Sequence, residues 1–255
     1  RWNPIVMHPK TIEEVLKALD RIIDTAIARQ DPAGLFAYIY RRTTDQVRRA
    51  IALRQFEDGP RMEAFDVAFA NLYLEAYQNW QAGRATPLVW STAFEAARRR
   101  HAIIQHILLG MNAHINYDLA IAASSLMKGE AIIALKRDFE KVNEILASIV
   151  DELQDRLSRV SPLFFLLDWI GQDQDENLIN FSMAKARACS WQLAYELWSL
   201  DGAYYEERLA AADRETTWIA QRIAAPSGWV LRGSLSLIRS LEPRDIGNIL
   251  EALRR

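Results

Sequence analysis

Residues 101–126, HAIIQHILLGMNAHINYDLAIAASSL, constrain this chain more than any other stretch. Isoleucine, leucine and alanine would cover every side of a helix drawn through them, and a helix that is apolar nearly all round is a buried one. Yet three of the four histidines of the 255-residue chain fall here, among Asn112, Asn116 and Asp118. At about 100° per residue, His106, Gly110, His114 and Asp118 recur at i, i+4, i+8 and i+12 and form a slowly drifting stripe. His101, Gln105, Asn112 and Asn116 mark a second stripe on roughly the opposite side. Buried polar groups need partners. The spacing therefore predicts a polar site inside a helical protein, completed by other helices.

The rest of the chain supports that architecture. With 10 glycines and 8 prolines, tight hairpins are few, and alanine, leucine, glutamate and arginine favour helix. Thr11 followed by Glu14 predicts a capped helix over about 11–29, and Asp31-Pro32-Ala33-Gly34 a turn. Further helices are predicted to about residue 55, over about 61–81, 87–100 and the central 101–126, then over about 130–160, 176–200, 204–225, 229–240 and 244–253. Residues 164–170 read as a short apolar segment and 171–175 as a polar loop. The expected fold is all-α, a single-domain multi-helix bundle over residues 1–255 around a buried central helix.

Several polar residues fall on apolar faces of the neighbouring helices. Asp66 lies between Met62 and Tyr73 in angle; it reads as a helix-start carboxylate helped by the macrodipole or as a site residue. Asn143 interrupts the stripe of Leu135, Phe139, Val142, Leu146 and Ile149, either fixing register or serving a site. Arg187 stands in line with Ala184, Trp191, Ala194 and Trp198. An unpaired guanidinium there would cost several kcal/mol, so Asp66, Asp118, Asp138 or Asp213 is expected to pair with it. The alternative lays its stem over tryptophan with its head in water. Arg98, Arg99 and Arg100 read as a solvated helix end, with phosphate binding as the other reading. Cys189 reads as inert core and His8 as exposed.

His114 and Asp118, one helical turn apart, can both reach one cation. His106, about 12 Å of rise from His114, suits a second role as ligand, base or proton carrier. Gly110 between them lets a ligand, an ion or a neighbouring helix approach. Three readings compete. A divalent metal such as zinc at His114 and Asp118 would activate water for hydrolysis, with His106 as ligand or base and Arg187 orienting an anionic substrate group or holding Asp118. Asp66, Asn112 and Asn143 would then line the binding pocket. A bundle holding iron for oxygen chemistry is the second, although its Glu-x-x-His pairs are absent. In the third, the protein is a non-catalytic binding or scaffold protein whose polar network is structural.

Other classes leave no trace. There is no G-x-S-x-G elbow, phosphate-binding loop or dinucleotide fingerprint. A formal charge of −2 gives no electrostatic reason to expect nucleic acid. No run of eighteen apolar residues exists, so no membrane span is expected. The lone Cys189 and the lack of an apolar leader core predict a reducing, cytoplasmic setting. A small-molecule ligand is the expected partner.

The stretch HILLGMNAHINYDL (106–119), with DFEKVNEIL (138–146) and ARACSW (186–191) following in order, resembles a bacterial family of helical proteins whose function is unassigned. The resemblance implies that His106, Asn112, His114, Asp118, Asn143 and Arg187 belong together, and it brings no substrate. The His114–Asp118 spacing is also similar to that of zinc-dependent phospholipase C and the related single-strand nucleases. The second such pair is missing: Gln105 stands four after His101, Gly110 four after His106, and Trp2 is not the first residue.

Overall fold

The structure is a computed structural model that describes residues 8–126, 131–161 and 183–254. The apolar segment 164–170, the loop 171–175 and the first turns of the helix expected from 176 lie outside the described residues. Among the described residues every regular element is helical.

The chain opens on α1 (Ile12–Arg29), whose first turn is held by Thr11, the hydroxyl accepting from the Glu14 N–H at 3.2 Å. The left-handed Gln30, φ 55°, ends it. Then come α2 (Ala33–Ala52), α3 (Gly59–Gln81) and α4 (Leu88–Ala97). Asp58 caps α3 through the Arg61 N–H. The central rod is α5 (Ile103–Ala113), a π turn (His114–Asp118) and α6 (Leu119–Leu126). It is followed by α7 (Ala131–Val160), α8 (Met183–Trp198), α9 (Gly202–Ala224), α10 (Trp229–Leu241) and α11 (Ile246–Arg254).

The rod does lie inside. It packs against α2, α3, α4, α8 and α9, while α1 lies along α2 and α11 joins α7 to α1 and α2. One continuous apolar cluster runs from Ile12 to Leu253 through every one of these helices. On α7 the expected stripe is buried at Leu135, Phe139, Val142, Leu146 and Ile149.

The rod departs from the uniform α-helix expected. At the π turn the Leu119 N–H reaches back five residues to the His114 carbonyl. A π turn inserts an extra residue, so whatever follows is rotated by about 100° relative to a straight stripe. Gly110 supplies the second adjustment. A Cβ built on it would stand 2.2 Å from Cγ of Phe36, so only a glycine lets α2 approach this closely. Of the roles open to Gly110 in the sequence, close helix packing is the one its surroundings match.

Candidate functional site

The polar side chains of the rod face different ways. Asn112, fully buried, turns toward α9: its amide N–H donates to the Thr216 carbonyl at 3.0 Å, and its oxygen accepts from Asn116 at 2.9 Å. Gln105 holds the start of the rod, accepting from the Ala102 N–H and donating to the Ile223 carbonyl. Asn112 is thus a clasp between helices and lines no part of the pocket the sequence assigned to it. The side chain of Asn143 lies outside the described residues.

His114 faces the opposite way, into an aromatic box. Phe69 from α3 stacks on its ring with centroids 3.6 Å apart, and Tyr40 from α2 meets it edge-on at 4.3 Å. Phe36, Tyr73 and Trp90 stand further out. Its Nδ1 shares a hydrogen bond with Oδ2 of Asp118 at 2.9 Å, and the same oxygen accepts the Trp90 indole N–H at 3.0 Å. Burial disfavours charge on both partners: it pushes the Asp118 carboxyl well above the usual carboxylate range and the His114 imidazole well below its own. Both shifts favour a neutral pair; with the carboxyl O–H donating to Nδ1, the imidazole proton lies on Nε2. That Nε2 is buried and has no hydrogen-bonding partner.

His114 lines a cavity of ≈ 60 Å³ whose wall is otherwise almost wholly apolar, formed by Phe36, Tyr40, Met62, Phe69, Met111 and Leu146 among others. Besides the hydroxyls of Tyr40 and Thr43, that wall holds a carboxyl, Asp66 from α3, and a guanidinium, Arg187 from α8. Asp66 is no solvated helix-start carboxylate. Its Oδ2 is buried without a partner, and burial, then the nearby Glu63, pushes it to about 7. Arg187 is 3% exposed and pairs with none of the four carboxylates expected for it. Its guanidinium lies over the Phe139 ring at 4.0 Å and donates to the Phe139 carbonyl, and its head does not reach water. Burial lowers it to about 9, and Nε has no partner.

Of the four carboxylates expected near Arg187, Asp118, Asp138 and Asp213 are engaged elsewhere. Asp138 accepts from the N–H groups of Glu57 and Asp58 and from Arg61, which fixes the entry to α3. Asp213 accepts from the N–H groups of Leu88 and Val89 and caps α4 from across the fold. Proline at the α4 N-cap has no side-chain acceptor to do this itself.

His106, expected to work with His114, lines a different recess with Arg99, Arg100, His101 and Arg239. Two turns of helix and the Phe36 ring at Gly110 explain the separation. Cys189, expected in the core, is exposed. Sequence reasoning missed Trp90, Tyr40 and Glu242. An indole or phenol on an apolar helix gives no signal of which polar atom it meets. Glu242 was hidden at the end of α10 although its carboxylate, 7% exposed, accepts from the Ile103 N–H and the Ser161 hydroxyl.

As a metal site, His114 and Asp118 bring one free nitrogen, because Nδ1 and Oδ2 bond each other. Among the described residues no group of three histidine, cysteine, aspartate or glutamate side chains is placed to hold an ion. The likeness to zinc-dependent phospholipase C finds no support. Among the described residues no helix is long and apolar enough to cross a membrane. Neither a curated protein nor a solved structure matches the chain. A family model does, over residues 12–226, a span that takes in His106, His114, Asp118 and Arg187 alike, and the chain belongs to that family of unknown function, DUF5995.

Proposed function

We propose that this protein, read as one helical domain, binds a small molecule in the His114 cavity: a compound of a few heavy atoms, apolar apart from one carbonyl or carboxylate oxygen. The observation that supports this is that residues lining one apolar cavity carry the buried, unpartnered polar atoms His114 Nε2, Asp66 Oδ2 and Arg187 Nε. Leaving such groups unpaired costs about 1–3 kcal/mol each, and native proteins keep few of them. Nε2–H and the Arg187 guanidinium are donors, so the missing partner is an acceptor. A cavity of about 150 Å³ takes benzene, so ≈ 60 Å³ admits something smaller.

Met62 and Met111 line the cavity and serve as probes. Acetone and acetate, titrated into protein carrying 13C-methyl methionine, should each shift both methyl resonances saturably, and His114→Phe should abolish the response. Absence of a saturable shift, with ordered waters bonded to all three atoms in a crystal, would leave the network a structural one.

Metal-assisted hydrolysis is the second reading, favoured by the same open Nε2, where a divalent ion such as zinc would attach. It needs two further donors, of which Asp66 is one candidate. Near-stoichiometric zinc, manganese or iron in untagged protein would establish it in place of the carbonyl-ligand reading. A reducing, cytoplasmic setting, in which the exposed Cys189 stays a thiol, belongs to either reading.

A further inference from the structure

We propose that a second site, the basic recess around His106, binds a small phosphomonoester. The recess, of ≈ 240 Å³, lies where the start of the central rod meets the end of α10 and the start of α11. Four arginines line it, Arg99, Arg100, Arg239 and Arg244, with His101 and His106. None of the four guanidinia has a carboxylate within ion-pair distance among the described residues. The one carboxylate in the wall, Glu242, is engaged by the Ile103 N–H and the Ser161 hydroxyl.

The arginines divide into two pairs. Arg100 and Arg239 are fixed by each other: Arg239 donates to the Arg100 carbonyl at 2.8 Å and Arg100 to the Arg239 carbonyl at 3.3 Å. Nε of Arg239 is buried with no partner. Arg99 and Arg244 are exposed at the rim, free to close on an anion. His106 is the inner polar group. It is 9% exposed, its ring stands edge-on to His101 at 5.7 Å, and it makes no hydrogen bond among the described residues. Burial, then His101, lowers it to about 3, so it remains a neutral ring able to donate from one nitrogen.

Convergent guanidinia without counterions are the chemistry of oxyanion recognition, since the planar fork matches phosphate in two hydrogen bonds at once. The remaining wall is apolar: Pro32, Leu35, Ile103, Pro243, Ile246 and Ile249. That floor fits the organic body of an ester better than a bare inorganic ion.

The test uses the full chain at constant ionic strength, with inorganic phosphate, phenyl phosphate and chloride as probes. Calorimetry should show phenyl phosphate binding more tightly than inorganic phosphate, with chloride inert. Phenyl phosphate should also shift the His101 and His106 ring resonances and leave His114 unmoved. Arg99→Ala with Arg244→Ala, both exposed and structurally unengaged, should weaken binding about tenfold or more for each guanidinium lost. Equal binding of phosphate and phenyl phosphate, an undiminished affinity in the double variant, or histidine shifts reproduced by chloride would each overturn the proposal. None of these readouts depends on the His114 cavity.

Discussion

Nδ1 of His114 and Oδ2 of Asp118 lie 2.9 Å apart across the π turn, and the Trp90 indole fixes the same oxygen from α4. Burial raises the Asp118 carboxyl well above the usual carboxylate range, which favours the acid O–H over the carboxylate. In Asp118→Asn an amide oxygen at the Oδ2 position still accepts from Trp90, and it accepts from Nδ1 as well once the imidazole moves its proton there from Nε2, so the change should cost no more than about 1 kcal/mol in urea unfolding. Asp118→Ala strands both partners and should cost about 2–4 kcal/mol, roughly one to two unsatisfied buried groups.

Asp66 gives a pH signature. Its folded value is raised to about 7 from 3.8, so the native state binds a proton more tightly than the unfolded chain. Its contribution is complete below about pH 4 and is lost as pH rises to about 7, to the extent of roughly 4 kcal/mol. Asp66→Asn should remove that loss. The variant should gain on the parent steadily from pH 4 to 7 in denaturant titrations, and the difference should be flat from pH 8 upward.

Arg187→Met tests whether the lone guanidinium serves stability or binding. A buried charge replaced by an apolar side chain of similar length is often neutral or stabilising by about 1–4 kcal/mol. The melting temperature should hold or rise, while the methionine-methyl response to acetate is lost. A strongly destabilised variant would instead make Arg187 a structural residue.

Gly110→Ala should be costly although alanine is the better helix former. The added carbon meets the Phe36 ring at 2.2–2.6 Å, and Phe36 also lines the His114 cavity. Overpacking of this kind typically costs about 1–3 kcal/mol, and both stability and probe binding should fall.

Much of the fold could be read from the sequence because helical period and capping are local. Thr11–Glu14 capped α1, and the α7 stripe is buried where the spacing put it. The π turn could not be read, since HINYD is compatible with an ordinary α-helix. Orientation was half legible. The sequence put Asn112 and His114 on different faces, and the structure shows one turned to α9 and the other to α2 and α3. Pairing was the least legible level. A search for the partner of Arg187 assumes that every buried charge has one, and in this protein Asp138 and Asp213 instead hold backbone N–H groups at the starts of α3 and α4. Nothing in residue type separates a capping aspartate from a site aspartate when the helix it caps lies 125 residues away.

The most direct measurement is the 15N spectrum of the His114 ring, followed from pH 5 to 9 with and without acetone. The account predicts a neutral imidazole throughout, protonated at Nε2, whose Nε2 resonance moves on adding acetone and does not move on adding phenyl phosphate. An imidazole that titrates near 6.5 as in water, or an Nε2 indifferent to acetone, would contradict it.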